Sequence, residues 1–263
     1  MSPIPRLVGM IHLLPLPGSP GFRGSMDEVL DTSTTEAKAL AAAGFPSLLV
    51  ENFGDVPFHA DSSDPETIAA MGIAVRSVIG ETGLLVGVNV LRNDALSALG
   101  IAAVTGAGFI RVNVLTGVMY TDQGPIMGRA AELARRRAWL APEVEIWADA
   151  MVKHATPPPG LVIERAVEDT VSRGLADAVI VSGPGTGVEP DVTEAATVRS
   201  VLPKGTRLVI GSGAGVDNLG ALAEVADTVI VGSSIKVDGV ANGRLDPGRV
   251  ATFIEAARHH GLI

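Results

Sequence analysis

Polar residues that could do chemistry recur inside or just past otherwise apolar runs of this chain. His12 lies near the end of the run 7–13, Glu51 follows 47–50, and Asn89 stands in Val86-Gly87-Val88-Asn89-Val90. Arg111 and Asn113 share one parity of Ile110-Arg111-Val112-Asn113-Val114, as do Trp147 and Asp149 of the run 144–148 and its extension; Lys153 and His154 come just beyond. Side chains alternate across a strand, so these residues point to the face opposite the neighbouring valines. A charge in such a place needs a partner, and Arg111 requires a carboxylate, Glu51 or Asp149. The plain alternative is that this pairing only fills a core. Convergence of so many polar residues at one rim favours a functional pocket, with Asp149 and Glu51 as base and acid, since two carboxylates in different surroundings titrate apart. In the same pocket His12 is a candidate proton relay and Lys153 a candidate Schiff-base or electrophilic lysine. Asn89, Arg111, Asn113 and His154 would orient polar substrate groups.

Three consecutive glycine-rich segments follow apolar runs in the last third: Ser-Gly-Pro-Gly-Thr-Gly at 182–187, Gly-Ser-Gly-Ala-Gly at 211–215 and Gly-Ser-Ser at 232–234. Glycine lets backbone amides approach an anion closely, and such loops suit a phosphate. Gly187, Ser212, Gly213, Gly232, Ser233 and Ser234 are the candidate contacts. Lys236 is a candidate charge, although alone it reads as a solvated surface lysine. Each loop singly is also explained as a tight turn. A divalent metal on Glu51 and Asp149 is the lesser option, since no H-x-H or H-E-x-x-H occurs; no other cofactor is expected.

The elements that must position these residues are eight short apolar runs: 7–13, 47–50, 84–90, 109–114, 144–148, 177–181, 207–210 and 227–231. Most are apolar on both parities, as strands of a parallel sheet covered on both faces are. Helical patterns fill the gaps at 26–43, 65–78, 95–105, 128–139, 161–173, 189–201, 215–223 and 247–260, with start signals such as Ser25 before Asp27-Glu28. Eight strand–helix units over 263 residues predict an α/β fold, a (β/α)8 TIM barrel forming a single domain over 1–263. An open doubly wound sheet is the alternative, but no G-x-G-x-x-G follows the first run. In the barrel the strand C-termini carry the active site, and the loops after strands seven and eight hold phosphate. The stretches 15–25, 115–126 and 154–160 lie on that rim and read as lids, stiffened by proline in 15–25 and 154–160, the plain alternative being rigidified loops.

Composition narrows the partners. The chain has 20 Lys plus Arg against 29 Asp plus Glu, a net charge of -9, which argues against nucleic acid. It has no cysteine, excluding disulfides, thiolate metal sites and a Cys nucleophile. No uncharged stretch is long and apolar enough for a spanning helix, and the N-terminal run lacks a cleavage pattern. A cytoplasmic location is expected, with peripheral membrane association left open and homo-oligomerisation expected only as the common default.

The opening Val8-Gly9-Met10-Ile11-His12-Leu13-Leu14-Pro15-Leu16-Pro17-Gly18-Ser19-Pro20 resembles the signature of the BtpA/SgcQ family. The likeness continues through Glu51-Asn52-Phe53-Gly54-Asp55, Gly87-Val88-Asn89-Val90-Leu91-Arg92-Asn93, Arg111-Val112-Asn113, Ala148-Asp149 with Val152-Lys153-His154, Ser182-Gly183 with Thr186-Gly187, and 231–239. The resemblance spans nearly the whole chain and implies a TIM-like barrel. The family takes its name from a cyanobacterial factor for photosystem I biogenesis. Other members occur in non-photosynthetic bacteria, some beside carbohydrate-use genes or described as phosphoribosyl or nucleoside enzymes.

Two functions are therefore expected. The first is an enzyme on a small phosphorylated molecule, a sugar phosphate or phosphoribosyl or nucleoside-type compound, by acid–base isomerase, lyase or glycosyl-transfer chemistry. The alternative is a non-catalytic assembly or regulatory factor that uses the barrel as a scaffold or metabolite sensor.

Overall fold

The apolar runs become parallel strands whose inward and outward faces each pack a separate layer. The computed structural model describes residues 5–183, 185 and 191–263. In it β1 (Leu7–His12), β2 (Ser47–Glu51), β3 (Leu85–Asn89), β4 (Phe109–Val112), β7 (Glu145–Asp149), β8 (Ala178–Val181), β9 (Arg207–Ile210) and β10 (Thr228–Val231) pair in that order. β10 pairs back onto β1 through Leu7↔Val229, Val8↔Ile230 and Gly9↔Val231, closing an eight-stranded parallel barrel. The expected TIM-barrel architecture is thus present.

Helices α1 (Met26–Ala43), α2 (Pro65–Thr82), α3 (Ala95–Thr105), α4 (Ala130–Leu140), α5 (Ile163–Glu168), α6 (Val192–Val201), α7 (Leu219–Val225) and α8 (Pro247–His259) lie between and after the strands. Ser25 caps α1 by accepting from Glu28 N, and Asp246 caps α8 by accepting from Gly248 N and Arg249 N, satisfying amide donors that the first turn leaves free. The segment expected as one helix over 161–173 is α5 continued by a π-helical turn over Asp169–Arg173.

Outward strand residues such as Leu48, Val50, Val88, Ile110, Ile146 and Leu208 pack under the helices, while Val8, Met10, Leu49, Phe109, Trp147, Ile180, Val209 and Ile230 fill the barrel. Phe109 and Trp147 stack with ring centroids 3.9 Å apart and 16° between planes. Below them Arg207 lies over the Trp147 ring and pairs with Glu145. Gly87 is required here, because a Cβ would collide with the Phe109 ring.

The stretch 115–126 is not an irregular lid. Its residues form a β-hairpin, β5 (Val118–Thr121) and β6 (Gly124–Met127), turning through Asp122 and Gln123 with Thr121 opposite Gly124. Gly124 has φ 94°, which the turn can use because glycine tolerates positive φ. Tyr120 exchanges both backbone hydrogen bonds with Thr156, so the hairpin is tied to the segment that follows β7.

Because the Phe109 ring is held between Gly87 and Trp147, Gly87→Ala overpacks the barrel. The expected cost is about 1–3 kcal/mol, or roughly 2–4 °C of Tm per kcal/mol. Thermal unfolding followed by circular dichroism checks this, and an unchanged Tm would mean that the stacked pair shifts freely.

Candidate functional site at the barrel mouth

The inward parity carries the polar residues to the C-terminal ends of the strands. Arg111, 2% exposed, donates from Nε to Asp149 Oδ2 (3.0 Å) and from Nη2 to Asp149 Oδ1 (2.9 Å). Its Nη1 reaches Gly211 O at 3.3 Å and Nη2 reaches Ser182 Oγ at 3.4 Å. Burial alone would lower its pKa, but the adjacent Asp149 charge and hydrogen bonds hold it above the ordinary arginine value. A Cβ on Gly211 would meet Ile180, come within 2.7 Å of Ser182 Oγ and approach Arg111 Nη2 to 3.1 Å, so this glycine makes room for the guanidinium.

Glu51 accepts from Asn89 Nδ2 at 2.6 Å through Oε2, while Oε1 stands 3.8 Å from His12 Nε2. His12 Nδ1 lies 2.8 Å from Ala241 O, its donor role set by the carbonyl, and the ring rests on Phe53. Burial lowers the His12 pKa to about 4; Lys236 and Lys153 push the same way, while Glu51 and the bond to Ala241 oppose. The imidazole is therefore neutral near pH 7, with its lone pair on Nε2.

A cavity of about 410 Å³ opens above this layer, lined by Glu51, Arg92, Arg111, Asn113, Asp122 and Lys153 with Phe53, Val56, Phe58, Leu91 and His154. A second cavity, about 380 Å³, lies under the hairpin between Met119, Pro158, Gly160 and Asp169 and touches Asp149. Asn113 lines both. Its Nδ2 donates to Asp149 Oδ2 at 3.4 Å, and its Oδ1 is buried without a partner among the described residues.

Asp149, expected as a base, spends both oxygens on Arg111 and does not line the first cavity; Glu51 does. Among the described residues no group of three His, Cys, Asp or Glu side chains is placed to hold a metal ion.

The glycine loops join the rim at two points, Gly211 beneath Arg111 and Gly232 beside His12. Gly213 has φ 78°, Asn218 Nδ2 donates to Gly213 O, and Gly215 N donates to Asn218 Oδ1. Ser212 Oγ is buried with no partner among the described residues. Ser233 begins a short 3-10 turn, Ser233–Ile235, whereas the Ser234 hydroxyl is spent on Ala214 O at 2.7 Å. Gly187 lies outside the described residues. The expectation for Lys236 needs correction on both counts. It is neither a surface lysine nor a charge on the loop, because it is 1% exposed with Nζ 3.4 Å from Glu36 of α1, the partner that burial of an ammonium demands.

Sequence reasoning did not single out Arg92 and Asp122, which line the mouth. Arg92 follows the inward Asn89 by three residues and donates from Nη2 to Lys153 O at 2.6 Å. Asp122 arrives on the hairpin turn. Other polar residues of the same motifs pin loops: Asn52 Oδ1 accepts from Leu91 N, Asp55 accepts from Leu16 N and Asn52 Nδ2, and Asn93 brackets Val114.

The sequence profile described as the BtpA family matches residues 5–259. The chain belongs to the BtpA family. It is 48% identical to the photosystem I biogenesis protein BtpA of Synechocystis, over 95% of this chain and 87% of that protein. An uncharacterized protein of Methanocaldococcus jannaschii is 43% identical over 95% of this chain and 94% of its own length. Among solved structures, N-(5'-phosphoribosyl)anthranilate isomerase from Pyrococcus furiosus superposes with a TM-score of 0.58 at 13% identity, covering 97% of this BtpA-family chain and all of the isomerase chain. That likeness establishes the shared barrel. No described helix of this BtpA-family member is long and apolar enough to cross a membrane.

The His12 shift has a measurable sign. Between pH 6.5 and about 4 the unfolded chain holds the proton that the buried ring refuses, so acid favours unfolding there. The stability advantage of the native protein over His12→Asn should shrink by up to about 3 kcal/mol from pH 7 to pH 4. Urea unfolding at stepped pH measures it; parallel curves for the two proteins would show that His12 is protonated in the folded state.

Proposed function

We propose that this BtpA-family barrel is an enzyme of a small phosphorylated metabolite, a sugar phosphate or phosphoribosyl or nucleoside-type compound, working by acid–base chemistry. The observation that carries this reading is that two of the four buried side-chain polar atoms without partners among the described residues, Asn113 Oδ1 at the mouth cavity and Ser212 Oγ on the loop after β9, lie at the C-terminal ends of the strands. Buried polar atoms in native proteins are nearly always satisfied, and exceptions of this kind at the strand ends are what a polar ligand would complete. Ser212, Gly213, Gly232 and Ser233 would contact the phosphate, with Ser234 holding the two loops together through Ala214 O. Glu51 is the proton-transfer group, kept in place by Asn89 and facing the neutral His12. Arg92, Arg111, Asn113 and His154 orient the substrate, and Asp149 acts by fixing Arg111. The isomerase that shares this barrel supports the substrate class as an analogy of fold.

One observation favours a second reading, a non-catalytic assembly factor: the name of the Synechocystis relative. A thermal-shift screen against sugar phosphates, phosphoribosyl compounds, nucleotides and inorganic phosphate separates the two. A ligand at about 100 times its Kd adds roughly 2.7 kcal/mol, a rise of about 5–10 °C in Tm. The shift should come from one class of phosphate ester and be lost in Ser233→Asp, which places a like charge on the loop. Absence of any phosphate-dependent shift in a cooperatively melting protein would overturn the enzyme reading and favour the second.

A further inference from the structure

Lys153 differs from every other lysine of the chain. There are four, Lys38, Lys153, Lys204 and Lys236. Lys38 pairs with Glu81 on the surface, Lys204 is exposed, and Lys236 is consumed by Glu36. Lys153 lines the mouth cavity, and its Nζ has no hydrogen bond or ion pair among the described residues. Its backbone is nevertheless held firmly. The preceding Val152 is 3% exposed and packs with Val114, Met119 and Ile126 of the hairpin region, and the Lys153 carbonyl accepts from Arg92 at 2.6 Å. A lysine whose backbone is held in this way, and which lines a cavity with no salt-bridge partner for its amine among the described residues, is placed as a reagent.

We propose that Lys153 forms a covalent iminium with its substrate, so that the metabolite is an aldehyde or ketone, or a sugar that opens to one. This rests on the reading that the mouth cavity is the substrate site, and deepens it by naming the reacting group. The step balances without a co-reactant. The Lys153 amine lone pair bonds to the carbonyl carbon and the carbonyl π electrons move to oxygen. Glu51, on the same cavity, takes a proton from the nitrogen and returns it to the oxygen. The proton that the Lys153 ammonium shed on becoming the amine then returns to the hydroxyl, which leaves as water while the nitrogen lone pair closes the C=N bond and the nitrogen keeps its last hydrogen. An ammonium and a carbonyl have become an iminium and one water.

The electrostatics suit this better than anion binding. Arg92 and Arg111 already supply two fixed cations to the cavity, so another permanent charge is not needed. Burial, then Arg111 and Arg92, lowers the Lys153 pKa to about 8 against the opposing pull of Glu51 and Asp149. Desolvation beside other cations is a recognised way to free a lysine amine for attack. At neutral pH the fraction of free amine is on the order of a hundredfold greater than for an unperturbed lysine.

The test is borohydride trapping on the full chain. The protein is treated with sodium borohydride and, separately, glyceraldehyde 3-phosphate, dihydroxyacetone phosphate, ribose 5-phosphate or unphosphorylated glyceraldehyde, and the adduct is mapped by mass spectrometry. Expected is an adduct at Lys153 at least about tenfold above Lys38 and Lys204, with a trapping rate that levels off above pH 8 while the two surface lysines still gain. Lys153→Arg keeps the charge and should lose that adduct; the pH profile of the native protein stands on its own if the variant fails to fold. Equal labelling of all exposed lysines, or no adduct with any of the four compounds, overturns the proposal. Glycerol 3-phosphate, which has no carbonyl, separates the two readings. If it raises Tm while no carbonyl compound is trapped, the phosphate site stands and the iminium falls. If glyceraldehyde is trapped at Lys153 while no phosphate ester raises Tm, the iminium stands and the phosphate site falls.

Discussion

The mouth of this barrel is organised by one buried ion pair. Arg111 brings a permanent charge into a closed barrel, and the two-pronged contact with Asp149 is what makes that tolerable. The pair then constrains its neighbours. Position 211 must lack a Cβ, Ser182 must present a hydroxyl to the carboxylate, and Asn113 must donate an amide to the same group. The stacked Phe109 and Trp147 form an apolar floor on the strands that carry Arg111 and Asp149, and so separate this polar layer from the Arg207–Glu145 pair below. Removing one member of such a pair leaves an uncompensated buried charge, which costs far more than the pair contributes.

With Asp149 committed in this way, chemistry passes to the groups that are less committed. Glu51 keeps one oxygen clear of strong donors, and Lys153 keeps its amine without a partner among the described residues. The two glycine loops are tied to the layer at Gly211 and Gly232, so a ligand spanning loop and mouth would meet a prearranged set of groups rather than having to assemble it. The loop pins Asn52, Asp55 and Asn93 serve the same end, since each satisfies backbone amides that would otherwise be buried unpaired where loops pack together.

The barrel and its inward polar layer were legible because both follow from a period of two along short apolar strands. Asn89, Arg111 and Asp149 are conspicuous for that reason, as hydrophilic residues among valines and isoleucines. The hairpin escaped because its strands are only four residues long and its proline and glycines read as loop; its pairing depends on Thr156, far along the chain. Lys236 escaped because its partner Glu36 lies 200 residues away on α1. No local pattern separates a lysine that ends in a buried pair from one that ends in water. Arg92 had the right neighbourhood in sequence, three residues past Asn89, but its role rests on a contact to the Lys153 carbonyl that only the closed barrel creates.

The hairpin also bears on how the molecule meets other chains. A closed barrel offers no unpaired strand, so the backbone most open to strand addition, among the described residues, is the outer side of β6. Tyr120 spends its amide and carbonyl outward on Thr156, so Pro125 opposite it directs its own backbone away from β5, toward that open side. Proline there has no N–H to offer. The strand over the mouth is thus a poor template for sheet extension, and can cover a polar cavity without inviting aggregation along its edge.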